Sequence, residues 1–578
     1  MYSNSILHLS TRIILNGIII WPLFMQGFGR LSFAFIHPTK CSSRTLWTDL
    51  SSNHAPQRTN LFIWDQRHII LSDIDLLLES KSFSSKERIE EVIRTVDQSH
   101  FDDIQFCSLF DREIYPSTSS FNSCDGLYVD DSPFLTKSLS TRTSEDEPIL
   151  SKAEVEVIRS AANSYWNRPQ GQSQSSRFTY QRKGNYEVHL VDLAKENPSV
   201  LKIMNESLRK KIYPLVRREF TARIPDLSNH QLCVYDSLVI RYNATEALSK
   251  TNGSGAGQPL HRDLGLVSVN IMLNSPTDFE GGGTFFENQL QLTSLNEKLP
   301  DPMRPVDVGY PLLHLSNDRH AGALTKKGIR DIMVIFITAT KAVKSDFQDF
   351  PVKLPPSAPL LERSARLKSS ARIYCEGFSC MTESILCRIL HYRLALLCTM
   401  TDGEAWHYLG MSLREFHKAQ LSDRTTQHSP ILLDNVISCL QVALHLNPCD
   451  ARIYNSFALS LETLKEYYES NRMMSRENES SIHLRICQAY ERCLTINNLF
   501  DRAGCDIAVD YDSACLNYGL YLSKLDIFDQ SANILQSRFS SLSKDEIIGS
   551  ERYDPDHWLL RKNGNSLLAF CLDRRIMT

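Results

Sequence analysis

The chain has 578 residues, of which 63 are Lys or Arg and 67 are Asp or Glu, giving a formal net charge of -4. This length leaves room for two to four domains, and the composition is that of an ordinary globular protein. A chain without excess positive charge lacks the field that attracts nucleic acid. Enzymes that repair DNA or RNA are therefore disfavoured, and no nucleic-acid partner is expected.

The N-terminal segment, residues 1–36, reads as a targeting sequence. The first 48 residues contain no Asp or Glu, and Ile13 to Phe28 is an apolar stretch that is short for a membrane span. With Arg12 before it and a small residue at Ala34 after it, the segment predicts a secretory signal and a location in the endoplasmic reticulum lumen. Three alternatives stay open: an uncleaved membrane anchor, which alone would make the membrane a partner, a complex-plastid presequence and a buried amphipathic helix.

Residues 37–145 carry Ser/Thr/Asp-rich patches and receive no function. The next region, 146–345, opens with a predicted capping box, Ser151 with Glu154, ahead of an amphipathic helix. A second amphipathic helix is predicted after Pro198. Both helices are expected to buttress a core of strands.

Strand patterns follow these helices. Apolar or alternating runs bounded by Gly, Pro and Asn predict strands at 238–242, 266–273, 311–315 and 332–338. Alternation in the second run predicts a half-buried strand, and the last two runs are expected to pair antiparallel. Short strands with such turn residues between them indicate a double-sheet jelly roll or a barrel.

The pattern His261-Arg262-Asp263, followed 57 residues later by His320 and ten after that by Arg330, is the most informative feature of the sequence. On an extended strand His261 and Asp263 leave the same face and can bind one ion, while Arg262 points away. Two imidazoles and one carboxylate are the ligand set of non-haem Fe(II) oxygenases, because three positions of an octahedral ion stay open. The expected strand pairing would return Arg330 to this metal.

A rival histidine, His314, lies on a predicted strand six residues before His320. A lone histidine is more often a packed or surface residue than a ligand. Only His320 is followed by Gly322 and by the Gly328-x-Arg330 spacing, so His320 is the predicted ligand.

Lys326 and Lys327 are rival cations for a carboxylate, and a solvated turn is their expected place. Gly281 to Gly283 lack the strand-to-helix context and the following Lys of a phosphate-binding loop. These glycines are therefore expected to allow close approach between strands.

At this point the sequence resembles the Fe(II)- and 2-oxoglutarate-dependent dioxygenases of the prolyl 4-hydroxylase and procollagen-lysyl hydroxylase type, over about residues 146 to 342. The matching stretches are His261-Arg262-Asp263, Val269 to Asn274, Asp278 to Phe286, and His320-Ala321-Gly322 through Gly328-Ile329-Arg330. The resemblance implies an α+β multidomain protein with a double-stranded β-helix, or jelly-roll, oxygenase core.

Residue roles follow from the same resemblance. His261, Asp263 and His320 would bind Fe(II), and 2-oxoglutarate would chelate it through the C1 carboxylate and keto oxygen. Arg330 would pair with the C5 carboxylate, which suits a planar guanidinium, and the hydroxyl of Tyr242 would reach the same co-substrate. The reaction would release succinate and carbon dioxide and hydroxylate a C–H bond, with L-ascorbate as reductant. Asp263 argues against halogenases of this class, which lack the carboxylate so that chloride can bind iron.

After a linker at 346–374 the pattern becomes helical through 545, ahead of a tail at 546–578. Trp406-x-x-Leu409-Gly410-x-x-Leu413 recurs from Tyr454 to Leu461 and from Cys515 to Leu522, at intervals of 48 and 61 residues. These motifs resemble tetratricopeptide repeats, whose usual period is about 34 residues. The resemblance implies an α-helical solenoid that binds a protein partner or serves packing. Related hydroxylases usually carry such repeats ahead of the catalytic domain, so the order here is a departure.

Fifteen cysteines occur without a C-x-x-C pattern, which argues against a zinc site. Cys375 and Cys380 are the first candidates for a disulfide if the protein is lumenal.

The sequence thus predicts a secretory-pathway oxygenase that hydroxylates a polypeptide side chain, prolyl first and lysyl as the alternative. Two other functions stay open: oxidation of a small metabolite, and a degenerate oxygenase fold that serves the repeats as a scaffold without iron.

Overall fold

The computed structural model of the chain describes part of its length. The described residues are 88–98, 109–113, 148–168, 185–224, 227–251, 256–290, 301–341, 360–377, 382–422, 430–502, Cys505, 508–539 and 555–577, without positions 97, 264 and 474. The predicted targeting segment, most of residues 37–145 and the side chains of the Cys375 and Cys380 pair lie outside them. Among the helices of the described segments, none has the length and apolar character that crossing a membrane requires.

Five described helices accompany the strands: α1 Lys152–Trp166, α2 Leu190–Glu196, α3 Pro198–Ser207, α4 Tyr213–Phe220 and α5 Ala244–Thr251. Ser151 and Glu154 form the predicted capping box at the start of α1. Ile158 of α1 and Met204 of α3 are buried in one cluster with Val269, so these helices cover one face of a sheet. The predicted buttressing role is confirmed.

Nine described strands form two antiparallel sheets. They are β1 Asn185–His189, β2 His230–Asn243, β3 Gln258–His261, β4 Val267–Met272, β5 Phe279–Gly281, β6 Thr284–Phe286, β7 Pro311–Leu315, β8 His320–Gly322 and β9 Thr325–Lys341. The larger sheet has the order β1-β2-β9-β4-β7, with β5 paired to β9, and the smaller sheet has the order β3-β8-β6.

The expected pairing of 311–315 with 332–338 is wrong. β4 lies between β7 and β9, because Val269 pairs with Leu313 on one side and with Ile335 on the other. β4 is also buried on both faces rather than half-buried. Its apolar face meets the helices, while Ser268 faces the smaller sheet. A strand enclosed between two neighbours and two layers has no solvent-exposed face, whatever its alternation.

The C-terminal half is helical. Its helices are α6 Leu360–Gly377, α7 Thr382–Cys398, α8 Gly403–Ser422, α9 Pro430–Leu446, α10 Ala451–Ser470, α11 Arg476–Arg502, α12 Ala508–Lys524, α13 Phe528–Phe539 and α14 Pro555–Met577. A Cβ atom on Gly410 would lie 3.1 Å from the Cβ of Cys439, and one on Gly519 would lie 2.8 Å from Cγ of Leu535. The motif glycines therefore lie where α8 and α9, and α12 and α13, approach most closely. Helix α6 begins within the expected linker at 346–374, and helix α14 lies within the expected tail at 546–578.

The smaller sheet packs on this helical region. Phe285 of β6 and Ala321 of β8 share one buried cluster with Ile496 and Phe500 of α11. The rings of Phe285 and Phe500 meet edge to face with centroids 5.4 Å apart. The sheet that carries the H-x-D motif thus has the larger sheet on one side and helices on the other.

Candidate metal centre

The three predicted ligands come together at the edge of the smaller sheet. His261 ends β3 and pairs directly with His320, which begins β8. Nε2 of His261 lies 3.4 Å from Oδ1 of Asp263, and Nε2 of His320 lies 3.5 Å from Oδ2. One donor atom from each residue lies within 4.8 Å of the other two, so the three side chains can hold one ion.

Both imidazoles are oriented by backbone carbonyls. Nδ1 of His261 lies 2.7 Å from the oxygen of Pro259, and Nδ1 of His320 lies 2.9 Å from the oxygen of Asp318. An Nδ1–H that donates to such a carbonyl leaves Nε2 unprotonated and aimed at the centre. This arrangement is typical of metal-ligating histidines.

The charges of the site suit a cation. Burial raises the pKa of Asp263, but the larger combined effect of His320 and His261 lowers it, so the net pKa lies well below the ordinary value. Burial lowers the pKa of His320 to about 3. Burial also lowers the pKa of His261, but the hydrogen bond with Asp263, the charge of Asp263 and the hydrogen bond to Pro259 together raise the pKa more, and the net shift is upward. An ionised carboxylate and a neutral His320 are the forms that bind metal.

Ser268, which the sequence did not single out, holds the carboxylate. Its Oγ donates to Oδ2 of Asp263 over 2.5 Å and lies 3.1 Å from Oγ of Ser316. The backbone N–H of Asp263 donates to the oxygen of Ser316 over 2.9 Å. Asp263 is therefore fixed by a residue of β4 and by the residue that follows β7.

A third imidazole, His314, is wholly buried beside the three predicted ligands. Its ring centroid lies 4.4 Å from that of His320, and its Nε2 lies 3.9 Å from Oδ2 of Asp263. Its Nδ1 faces the oxygen of Leu315 at 3.0 Å, while Nε2 has no hydrogen-bond partner. His314 is packed, as predicted, but it is packed against the site. The pairing of His314 with Ser268 across β4 and β7 is the signal that would have shown this.

Arg330 and Tyr242 lie directly opposite each other on β9 and β2. The guanidinium carbon is 5.3 Å from the centre of the tyrosine ring. Arg330 is 3% exposed, and its Nε has no hydrogen-bond partner among the described residues. Its NH1 donates to the oxygen of Gly283 over 3.5 Å. Within the described residues no carboxylate pairs with Arg330, and burial lowers its pKa.

Glycines make room for this arginine. Gly281, Gly282 and Gly283 all have positive φ, and a Cβ on Gly282 would lie 2.8 Å from Cδ of Arg330. A Cβ on Gly281 would lie 2.5 Å from the oxygen of Leu324. The predicted close approach between strands is confirmed.

The short strand β6 links the place of Arg330 to that of His320. Gly283, which accepts from Arg330, directly precedes β6, and Phe286 at the end of β6 pairs with His320. The rival Lys326 and Lys327 are exposed, as predicted, but they lie on β9 rather than in a turn, and Lys327 pairs with Glu280 at 2.9 Å.

No protein-family model and no curated protein matches the chain. Among solved structures, AviO1 from Streptomyces viridochromogenes Tue57 is similar at 16% identity and a TM-score of 0.24, over 37% of this chain and 90% of that one. The non-heme alpha ketoglutarate dependent epimerase SnoN from nogalamycin biosynthesis is similar at 13% identity and a TM-score of 0.23, over 37% and 86%. The non-heme monooxygenase ThoJ, as its nickel complex, is similar at 15% identity and a TM-score of 0.23, over 39% and 90%.

Proposed function

We propose that the protein is an Fe(II)- and 2-oxoglutarate-dependent dioxygenase. The observation that carries this proposal is Arg330, a buried cation without a carboxylate partner among the described residues, whose NH1 donates to the residue before β6, the strand that pairs with His320. Burying an unpaired charge is costly, so an anionic ligand belongs beside it. The donors of His261, Asp263 and His320 fit Fe(II) at the other end.

Each side chain has a task in this proposal. His261, Asp263 and His320 would hold Fe(II) from one side, and Ser268 keeps the carboxylate turned toward the ion. Arg330 would grip the far carboxylate of 2-oxoglutarate with two N–H groups, while Tyr242 would donate its hydroxyl to the same group. When bound, Fe(II) and 2-oxoglutarate would activate dioxygen, one oxygen atom of which would enter succinate as carbon dioxide leaves, while the other would hydroxylate a C–H bond of the substrate.

Apolar side chains would keep water from this space. Val334 and Phe336 follow Arg330 on the same face of β9, and Leu238 and Ile240 precede Tyr242 on the same face of β2; all four are buried in one cluster. A dry environment strengthens the pair between a guanidinium and a carboxylate.

For the substrate we propose a polypeptide side chain, prolyl first and lysyl second, because of the sequence resemblance. The jelly-roll assignment of the two sheets, the tetratricopeptide assignment of the helices, the use of L-ascorbate and the secretory-pathway location stay predictions with the same basis. A protein partner for the helical region is likewise a prediction.

The test is turnover by the purified chain. With Fe(II), the wild type is expected to convert 2-oxoglutarate to succinate, and His320→Ala and Asp263→Ala are expected to abolish the conversion. Lys327→Ala is the matched control, because Lys327 is exposed and pairs with Glu280 outside the site. A wild type that binds no iron would favour the scaffold alternative and contradict the proposal.

A further inference from the structure

Two arginines stand beside the predicted metal ligands in the sequence and point toward the helical region. Arg262 lies between His261 and Asp263, and Arg319 directly precedes His320. Arg262 directly follows the last residue of β3, Arg319 directly precedes the first residue of β8, and both side chains pair with acidic residues of the helical region. The sequence predicts that Arg262 points away from the metal, and the structure shows what each arginine meets.

Arg262 meets the start of α8. Its Nε lies 2.9 Å from Oε2 of Glu404, the second residue of that helix. Its NH1 also donates to the oxygen of Asn317, in the turn that leads to His320. Glu404 is buried, and burial raises its pKa. The larger combined effect of Arg262, Lys368 and Arg452 lowers it, so the net pKa lies well below the ordinary value. The carboxylate is therefore ionised when it holds Arg262.

Arg319 meets the start of α10. Its NH1 lies 3.1 Å from Oδ1 of Asp450, and the same nitrogen pairs with Glu287 at 2.5 Å. Asp450 is the N-cap of α10, where its side chain accepts from the backbone N–H of Arg452. Arg319 also reaches Asp510 of α12 over 3.4 Å. Both Arg319 and Asp450 are buried.

Two further cations join the carboxylates of the helices. Arg452 lies 2.7 Å from Asp450 and 3.4 Å from Glu404. Lys368 of α6 lies 3.0 Å from Glu404, and its Nζ donates to the side-chain oxygen of Asn317 over 3.2 Å. Helices α6, α8 and α10 thus hold the turn before His320 and the strand of His261 through one buried network.

We propose that Glu404 and Asp450 are positioning residues for the metal centre, acting through Arg262 and Arg319. An ion pair that fixes the side chain of Arg262 or Arg319 also fixes the backbone at that residue. It therefore fixes the direction of the predicted metal ligands next to it in the chain. The helical region would then help to hold the metal ligands in the geometry that binding requires. This inference depends on the proposed metal centre.

The experiment measures Co(II) binding by the full-length chain, followed by visible absorption, because Co(II) accepts the same ligands and its spectrum reports their geometry. Glu404→Gln and Asp450→Asn are expected to weaken Co(II) binding roughly 10-fold or more, the usual effect of losing a group that orients a ligand. The band pattern is expected to change with the geometry.

Asp512→Asn is the matched control. Asp512 is a buried carboxylate near the start of α12 that pairs with Arg538 at 2.7 Å and Arg561 at 3.2 Å, both in the helical region. Its loss is expected to lower stability while leaving Co(II) affinity and the spectrum unchanged. If a general loss of stability were the cause, Co(II) affinity would fall in all three variants alike.

The outcomes distinguish failure of this inference from failure of the proposed metal centre. Wild-type affinity in Glu404→Gln and Asp450→Asn would overturn the inference while leaving the metal centre in place. A wild type that binds no Co(II) would overturn the metal centre itself, and the inference with it. If Glu404→Gln fails to fold, Arg319→Lys decides, because lysine has a single nitrogen, whereas Arg319 reaches Glu287 and Asp450 through NH1 and Asp510 through NH2. Weaker Co(II) binding supports the inference, and unchanged binding overturns it.

Discussion

Arg330 has an environment that a structural residue would not need. A guanidinium that only stabilised the fold would pair with a carboxylate. Arg241 does so with Asp331 at 2.8 Å, on the opposite face of the same two strands, β2 and β9. Arg330 instead has the face of Tyr242, one carbonyl and an unpartnered Nε. An aromatic face offsets only part of the cost of burying a cation. The residue is therefore more stable with an anion than without one.

Replacing Arg330 by Met is expected to separate binding from stability. The KM for 2-oxoglutarate should rise roughly 30-fold or more, because a lost buried charge pair costs about 2 kcal/mol or more. The free energy of unfolding without ligand should stay level or rise, because an unpaired buried charge is removed. Succinate formation and denaturant unfolding measure the two quantities, with Lys327→Met as the exposed control. Lower stability with an unchanged KM would assign Arg330 to the fold alone.

His314 is expected to assist the site without binding the metal. His314→Phe keeps the ring shape and removes the unpartnered Nε2, whose burial costs about 1–3 kcal/mol, but it also removes the contact of Nδ1 with Leu315. Stability should change by about 1 kcal/mol or less, and metal affinity should stay within roughly 10-fold of the wild type. Calorimetric titration with Fe(II) under nitrogen checks this against His320→Ala. Complete loss of binding in His314→Phe would make His314 a ligand.

At this scale the spacing in the sequence was enough to predict that His261, Asp263 and His320 come together. His261 ends β3, Asp263 lies two residues beyond it, and His320 begins the strand that pairs with β3. The place of His314 could not be predicted, because a single histidine carries no spacing. Its position depends on β4 lying beside β7, which only the folded sheet determines.

Among the elements, the segment between β5 and β6 shapes the place of Arg330. Gly282→Ala should raise the KM for 2-oxoglutarate, because the new Cβ would lie 2.8 Å from Cδ of Arg330. Gly281→Ala is the matched control, since its φ of 77° is similar to the 70° of Gly282 but its Cβ would meet Leu324 instead. Both variants should lose about 1–2 kcal/mol of stability. Equal KM values in the two would show that Gly282 does not act through Arg330.

The element α8 carries a pH-sensitive group, His407. Burial lowers its pKa to about 4, with Arg452 and Arg319 adding to the effect and Asp450 and Glu404 opposing it. The unfolded value is about 6.5, so the stability that neutral His407 provides is present above that pH and is lost as the pH falls toward 4.

The expected measurement is the free energy of unfolding of the metal-free chain at pH 7 and pH 5. His407→Gln should lose less stability between these pH values than the wild type does, by about 2 kcal/mol. The comparison of two chains cancels the titration of all other groups that the substitution does not disturb. Equal losses in the two chains would mean that His407 accepts a proton freely in the folded state.

The order of the strands shows what periodicity can and cannot predict. The residues of β4, β7 and β9 were recognisable, since apolar runs bounded by Gly and Pro are local features. Their neighbours were not, because alternation fixes which face is apolar but not which strand lies alongside. The polar face of β4 was expected in solvent, and Ser268 lies there beside Asp263 instead.

For the whole molecule, the main fact is that, among the described residues, the smaller sheet packs between the larger sheet and the helices. Phe285 and Ala321 pack on the helices, and Arg262 and Arg319 pair with Glu404 and Asp450. The helical pattern of the C-terminal half was visible in the sequence, but its contacts with the candidate metal centre were not. Contacts between residues more than a hundred positions apart leave no local signal in a single sequence.

The most direct test of the account is anaerobic addition of 2-oxoglutarate to the Fe(II)-loaded chain, followed by visible absorption. Chelation of the keto acid at the iron should produce a charge-transfer band in the wild type and none in His320→Ala. In Arg330→Met the band should need roughly 30-fold more 2-oxoglutarate, because the far carboxylate has lost its partner. A wild type without the band, or an Arg330→Met chain that saturates at the wild-type concentration, would contradict the account.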